Sequence, residues 1–273
     1  MAFVANQGTK IYWDEQGQGA PVLLIIGLGY TSAMWHRTRP ALAQRYRTIA
    51  FDNRGVGLSD VPSGPYSIAT MASDAAAVLN AAGVASAHVF GVSMGGAIAQ
   101  EFALQYPAMT RSLILGCTAP GGSLVVRSER KVADLLMARG MTPEQAREAI
   151  LPYIYDAATP REKIEEDIRL RQRWLPSPEG YMAQLQALLV WESYSRIAQI
   201  TAPTLVIHGK SDALVPPGNG ELIAKRIPGA KLVLLEHASH LFLTDQTEEA
   251  NKEILEFLLS HADGDPGPGT GKS

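Results

Sequence analysis

Along this chain, short apolar runs alternate with longer stretches in which apolar positions recur every three or four residues. The runs at 22–26, 48–51, 87–90, 112–115, 204–207 and 231–235 are too short for helices, and several are β-branched. Each predicts a buried strand. Between most of them lie helix-like stretches, 68–82 and 94–106 among them. Strands alternating with helices imply crossover connections, and therefore an α/β fold with a mostly parallel sheet and helices on both faces. The first residues follow a different rule: 3–5 and 10–14 flank Asn6-Gln7-Gly8-Thr9, which predicts a hairpin of antiparallel edge strands.

From about residue 121 to 197 the alternation stops, charge density rises and helical spacing takes over. Pro143, Pro152, Pro160, Pro176 and Pro178 divide this stretch, predicting four short helices inserted into the core. Strands resume after Ala202-Pro203, and Ala250, Ile254, Phe257 and Leu258 form the stripe of a final packed helix. The organisation expected is a core at 1–120 and 198–262, a helical insertion at 121–197, and a Gly/Pro-rich tail at 263–273 with too little apolar surface to fold.

Composition narrows the function. With 46% hydrophobic and 19% charged residues in 273, the chain has the make-up of a soluble globular protein. Its 24 basic residues are scattered among 27 acidic ones for a net charge of -3, leaving no cationic stripe for nucleic acid. No apolar run approaches the length of a membrane span. A single cysteine, Cys117, and an N-terminus without a basic start or apolar run point to a cytoplasmic setting.

The most informative stretch is FGVSMGGAIAQ at 90–100. Gly91-Val92-Ser93-Met94-Gly95 fits G-x-S-x-G, in which a serine sits on a sharp strand-to-helix turn and any flanking Cβ collides with a neighbouring element. Such a turn aims a helix N-terminus at the hydroxyl and frees the Met94 amide for a developing oxyanion. Small residues also suit a glycine-rich helix start in a nucleotide-binding unit, but the strand before, the helix after and Gly96 match the context of a nucleophile elbow.

With these residues in view, the chain resembles the α/β-hydrolase fold superfamily, of the capped serine esterase type that includes esterases, enol-lactonases and perhydrolases. The resemblance runs over residues 1 to about 260. It is carried by Gly27-Leu28-Gly29, by Asp52-Asn53-Arg54-Gly55-Val56-Gly57-Leu58-Ser59, by the turn at Ser93, by PTLVIHGKSDALVP at 203–216 and by HASHLF at 237–242. It implies an eight-stranded sheet, a helical cap and a Ser-acid-His triad needing neither metal nor cofactor.

A serine hydroxyl needs a base, and the base needs an orienting group. His36, His88, His208 and His261 fall in elements that suit structural or solvated roles. His237 and His240 share the loop where this fold presents its base. His240 is chosen because Leu241-Phe242 and Asp245 reproduce the family's arrangement after that histidine. Asp212, in the loop after the preceding strand and 28 residues before His240, is the expected acid. Asp52 is a decoy, its motif with Arg54 and Gly55 shaping a turn near the site. The oxyanion hole is expected from the Leu28 and Met94 amides, although Ile26-Gly27 replaces the family's usual His-Gly pair.

Expected pocket residues are Tyr30, Trp35, Tyr153, Trp191, Leu241 and Phe242, a mainly apolar set suited to an uncharged ester or lactone as the small-molecule partner. Each cap aromatic, Tyr153 and Trp191 here, could equally pack cap on core. Serine at 93 excludes the carboxylate chemistry of dehalogenases and epoxide hydrolases. A lactonase, a carbon–carbon bond hydrolase, a cofactor-free perhydrolase and a non-catalytic ligand receptor share the same parts. A histidine base with an ordinary pKa puts the acid limb of activity at about pH 6 to 7.

Overall fold

The computed structural model describes residues 2–137 and 140–261. The expected tail at 263–273 lies outside the described residues. Eight strands form one sheet: β1 (Ala2–Asn6), β2 (Thr9–Gln16), β3 (Ala20–Ile25), β4 (Tyr46–Phe51), β5 (Ala87–Val92), β6 (Thr110–Gly116), β7 (Thr204–Gly209) and β8 (Lys231–Leu235). Their order is β1-β2-β4-β3-β5-β6-β7-β8. The β1–β2 and β2–β4 pairs are antiparallel and all others parallel. The N-terminal hairpin forms as expected, but only β1 is an edge, because β2 is hydrogen-bonded to β4 along Trp13 to Gln16.

Strand residues alternate between two cores, as the pleat requires. Leu23, Ile25, Ile49, Phe51, Val89 and Leu113 face α2 (Ile68–Ala81) and α3 (Met94–Gln105), while Val22, Leu24, Phe90, Ile114, Leu205 and Ile207 share the other core with Leu42 and with Ile254 and Leu258. Those last residues belong to α1 (Arg39–Leu42) and to the final helix. Each such Leu or Ile, once buried, contributes about 1.5 to 3 kcal/mol, and it is this two-sided burial that makes the strands read as unbroken apolar runs. Several strands run past the apolar run itself. The ladder carries β6 through Gly116 opposite Val92, and β7 through Gly209 opposite Leu235.

Between β6 and β7 lie α4 (Arg130–Leu136), α5 (Pro143–Ile154), α6 (Arg161–Gln172) and α7 (Pro178–Val190). Prolines open α5 and α7, and Pro160 caps α6. Pro152 departs from the expected pattern: it lies inside α5, close enough to the C-terminal end that the helix stops at Ile154. After β7 come α8 (Gly218–Arg226), α9 (Phe242–Asp245) and α10 (Thr247–Ser260). Among the described residues, no helix is long and apolar enough to cross a membrane. From β3 the chain winds one way to β4 and then crosses back to β5, β6, β7 and β8 on the other side, so the carboxyl ends of the parallel strands β3 and β5 flank a topological switch point, where open α/β sheets bind ligands.

Candidate active site

Strand β5 ends at Val92 and α3 begins at Met94, so Ser93 alone makes the turn. Its φ of 56° and ψ of -122° are a strained backbone state that persists only where the surroundings impose it. Here Ser93 N donates to the Gly116 carbonyl at 2.9 Å, and Thr118 Oγ1 donates to the Ser93 carbonyl at 2.7 Å. A Cβ on Gly91 would lie 2.1 Å from the Gly95 carbonyl oxygen, and one on Gly95 would lie 2.0 Å from that of Ile25. The flanking glycines therefore let α3 rest directly on the backbone of β5 and of the end of β3.

Three side chains distant in sequence converge at this turn. His240 Nε2 lies 3.0 Å from Ser93 Oγ, and His240 Nδ1 lies 2.8 Å from Asp212 Oδ2. An ionised carboxylate only accepts, so Nδ1 carries the hydrogen and Nε2 turns its lone pair to the serine hydroxyl. Burial opposes charge on Asp212, but His240 and a hydrogen bond from His208 outweigh it and hold the carboxyl down at about 2. Burial likewise opposes charge on His240, yet the Asp212 carboxylate, helped by the neighbouring Cys117 side chain, shifts the imidazole upward.

Asp212 is fixed through both oxygens. Oδ1 accepts from the amides of Leu214 (3.0 Å) and Val215 (2.8 Å), while Oδ2 receives both imidazoles. The loop carrying His240 is held just as firmly. Leu241 N donates to the Ile154 carbonyl at 2.8 Å, Thr159 Oγ1 to Asp245 Oδ1 at 2.6 Å, and Ser239 N to Asp245 Oδ2 at 2.7 Å. On the acid loop, Ser211 Oγ donates to Asp156 Oδ2 at 2.5 Å. The segment between α5 and α6 thus grips both loops that carry the imidazole and the carboxylate.

Met94 opens α3, so its amide is one of those a helix leaves without an internal acceptor. The Leu28 loop reaches the same place: a Cβ on Gly27 would lie 3.6 Å from Ser93 Oγ. Asn53 Nδ2 pins this loop through the Ile26 carbonyl at 3.0 Å. Gln184 of α7 accepts from Gly29 N at 3.0 Å and donates to the Arg54 carbonyl at 2.7 Å.

The other histidines lie apart from Ser93. His88 bonds to Ser112 Oγ at 2.8 Å, with burial lowering its imidazole to about 4. His36 faces Asp167, and His261 meets the Phe257 carbonyl. His237 is exposed at a φ of 51°. Asp52 accepts from Ser32 N, Ser32 Oγ and Leu58 N, and Arg54 pairs with Asp74 through two 2.7 Å bonds, so both shape the turn. His208 is different. It belongs with Asp212, although its place inside an apolar run marks it as core.

Of the expected pocket residues, Trp35, Trp191 and Phe242 are buried and Tyr30, Tyr153 and Leu241 are not. Trp35 is fully buried against Phe90, with ring centroids 4.8 Å apart. Phe242 is buried in the same core, close against Gly116. Trp191 is buried and its Nε1 donates to Glu101 Oε2 at 2.9 Å, tying the end of α7 to α3. Phe242 fills the space that Gly116 leaves. Tyr30, Tyr153 and Leu241 remain partly accessible: Tyr30 lies under the Arg171 guanidinium, Tyr153 near Lys131, and Leu241 against Leu151, Ile154 and Tyr155.

Residues 20–152 and 165–247 match the family model for the alpha/beta hydrolase fold. A relative from Azorhizobium caulinodans, provisionally named the carbamate hydrolase RutD, is 33% identical over 94% of this chain and 98% of its own. The pimeloyl-[acyl-carrier protein] methyl ester esterase of Aeromonas hydrophila is 32% identical over 90% of this chain and 98% of its own. Among solved structures, a thermophilic esterase from Thermogutta terrifontis superposes with a TM-score of 0.83 at 29% identity, covering 96% of this chain and 98% of that one.

Proposed function

The chain belongs to the alpha/beta hydrolase family, and on that premise we propose that it is a serine hydrolase cleaving carboxylic esters of small to medium, mainly apolar acyl groups through an acyl-enzyme. The observation that carries this reading is the unbroken line from Asp212 through His240 to Ser93, at 2.8 and 3.0 Å.

Ser93 Oγ attacks the ester carbonyl as His240 Nε2 takes its proton, and Asp212 steadies the imidazolium. The oxyanion forms against the Leu28 and Met94 amides. The tetrahedral intermediate collapses, the alkoxide leaves with the proton from His240, and Ser93 holds the acyl group. Water, deprotonated by His240, then attacks the acyl carbonyl and releases the acid with Ser93 restored. Residues 121–197 act as a cap over this centre, and chain-length preference resides there. The methyl ester esterase and the Thermogutta esterase support the reading by their names, and a carbamate hydrolase attacks a carbonyl of the same kind.

The test is steady-state hydrolysis of p-nitrophenyl acetate, butyrate and octanoate, with simple lactones and an aryl carbamate alongside. Turnover of the esters that falls by about 10³ or more in Ser93→Ala is the expected result. Ester turnover equal in the two proteins would overturn the reading, and a preference for lactones would move the substrate assignment to them.

A further inference from the structure

One cation beside the candidate site has no charge partner. Helix α6 carries Arg161, Arg169 and Arg171, and Arg173 follows it as the C-cap. Arg161 pairs with Glu165, and Arg169 and Arg173 are exposed to solvent. Arg171 is half-buried, and its guanidinium lies 4.1 Å from the centroid of the Tyr30 ring. Among the described residues it makes no ion pair and no hydrogen bond. A guanidinium stacked on an aromatic face is held in orientation with its N–H edge free, and that edge matches a carboxylate.

The surroundings give this cation a purpose. Arg171 and Tyr30 line a cleft with Gly29, Trp174, Leu175 and Pro176. The cleft shares Gly29 with the Leu28 loop. Gly27 packs against Ser93, and Gly29 is two residues further, no more than about 8 Å along the chain. Tyr181 packs on Gly29, and both Tyr181 and Tyr155 feel the positive charge of Arg171. Tyr155 in turn packs with Leu241, next to His240. Tyr30 is stacked with the cation and Tyr181 and Tyr155 lie within its field, while Trp174 and Leu175 give the cleft an apolar side.

We propose that this cleft is a subsite for a carboxylate at the far end of the substrate, with Arg171 as the anion-binding group, so that half-esters of short aliphatic dicarboxylic acids are the favoured substrate class. This rests on the reading of Ser93 as the nucleophile. The apolar acyl stem expected from the sequence is kept, and its end gains a charge that the sequence did not reveal.

Binding separates this inference from the catalytic reading. Ser93→Ala is titrated calorimetrically with monomethyl glutarate and monomethyl adipate, and with the neutral dimethyl esters, in both the Arg171 and the Arg171→Gln background. The expected result is tighter binding of the half-esters than of the diesters by about 10- to 100-fold, the worth of a hydrogen-bonded charge pair. Arg171→Gln collapses that ratio toward one, Arg171→Lys restores part of it, and added salt weakens it. Half-esters and diesters bound alike, or a ratio that survives Arg171→Gln, would overturn the proposal and leave Arg171 as a cation that merely favours the C-terminal end of α6. The ester assays on the Ser93-containing protein decide the catalytic reading separately.

Discussion

His208 Nε2 lies 3.3 Å from Asp212 Oδ2 and 2.7 Å from the Val215 carbonyl oxygen. Both partners are acceptors, so Nε2 carries the hydrogen and one N–H is shared between strand end and carboxylate. Asp212 is thereby held between two imidazoles, one on the side of Ser93 and one beneath. His208→Gln is expected to lower kcat by about tenfold with little change in KM, since a hydrogen bond to a charged group is worth about 1.5 to 3 kcal/mol. Asp212→Asn, which also disturbs the tautomer of His240, is expected to cost about 10⁴ in kcat. Kinetics on both variants, with circular dichroism to confirm the fold, check this. An unchanged kcat in His208→Gln would reduce that residue to packing.

The pH dependence follows from the ion pair. In the proposed mechanism His240 is neutral when it accepts the serine proton, and the buried Asp212 carboxylate outweighs burial in raising the imidazole above its ordinary 6.5. The protonated, inactive form therefore persists to higher pH. The acid limb of kcat/KM is expected to be displaced upward from 6.5, toward or beyond the alkaline end of the range of about pH 6 to 7 inferred from an unperturbed histidine. A limb below pH 6 in a kcat/KM profile contradicts the arrangement.

Asp245 makes a prediction about stability. Burial raises its carboxyl from 3.8 to about 6, against hydrogen bonds from Thr159 and Ser239. A carboxyl raised on folding takes up protons between those two values, so stability increases as pH falls from about 6 to about 4 and is reduced at neutral pH, by about 3 kcal/mol at most. Asp245→Asn removes this ionisation. Its Tm, relative to the unmutated protein, is expected to improve as pH rises from about 4 to about 6 and to keep that gain at higher pH, while activity falls because the Ser239 loop loses a charged acceptor. Melting curves that stay parallel across that range would refute it.

The turn at Ser93 tolerates no added atom. In Gly95→Ala the new Cβ would meet the Ile25 carbonyl oxygen at 2.0 Å, backbone against backbone. Destabilisation of about 3 kcal/mol or more is expected in urea unfolding. A variant of ordinary stability would mean that α3 is free to lift from β3.

These residues also show what a linear sequence reveals. The parallel strands were legible because burial on both faces leaves unbroken apolar runs, and their ends were missed where a glycine continues the ladder, as at Gly116 and Gly209. Ser93, Asp212 and His240 were legible because each stands at a turn whose neighbours announce it. His208 was not, since an imidazole within Leu205-Val206-Ile207 looks like any core residue until the carboxylate is seen beside it. Gln184 was equally hidden, because its two bonds reach Gly29 and Arg54 across more than a hundred residues. The burial of Trp35, Trp191 and Phe242 was hidden for a related reason: proximity in sequence to a site does not tell which way a large ring turns.

The central claim is that Ser93 is made nucleophilic by His240. The most direct measurement is labelling with diethyl p-nitrophenyl phosphate, followed by mass spectrometry of the digested protein, in the unmutated chain and in His240→Ala. One phosphoryl group per chain on the peptide containing Ser93, formed far more slowly without His240 and matched by loss of esterase activity, is the predicted result. A label on another residue, or labelling of Ser93 at the same rate without the imidazole, would contradict it.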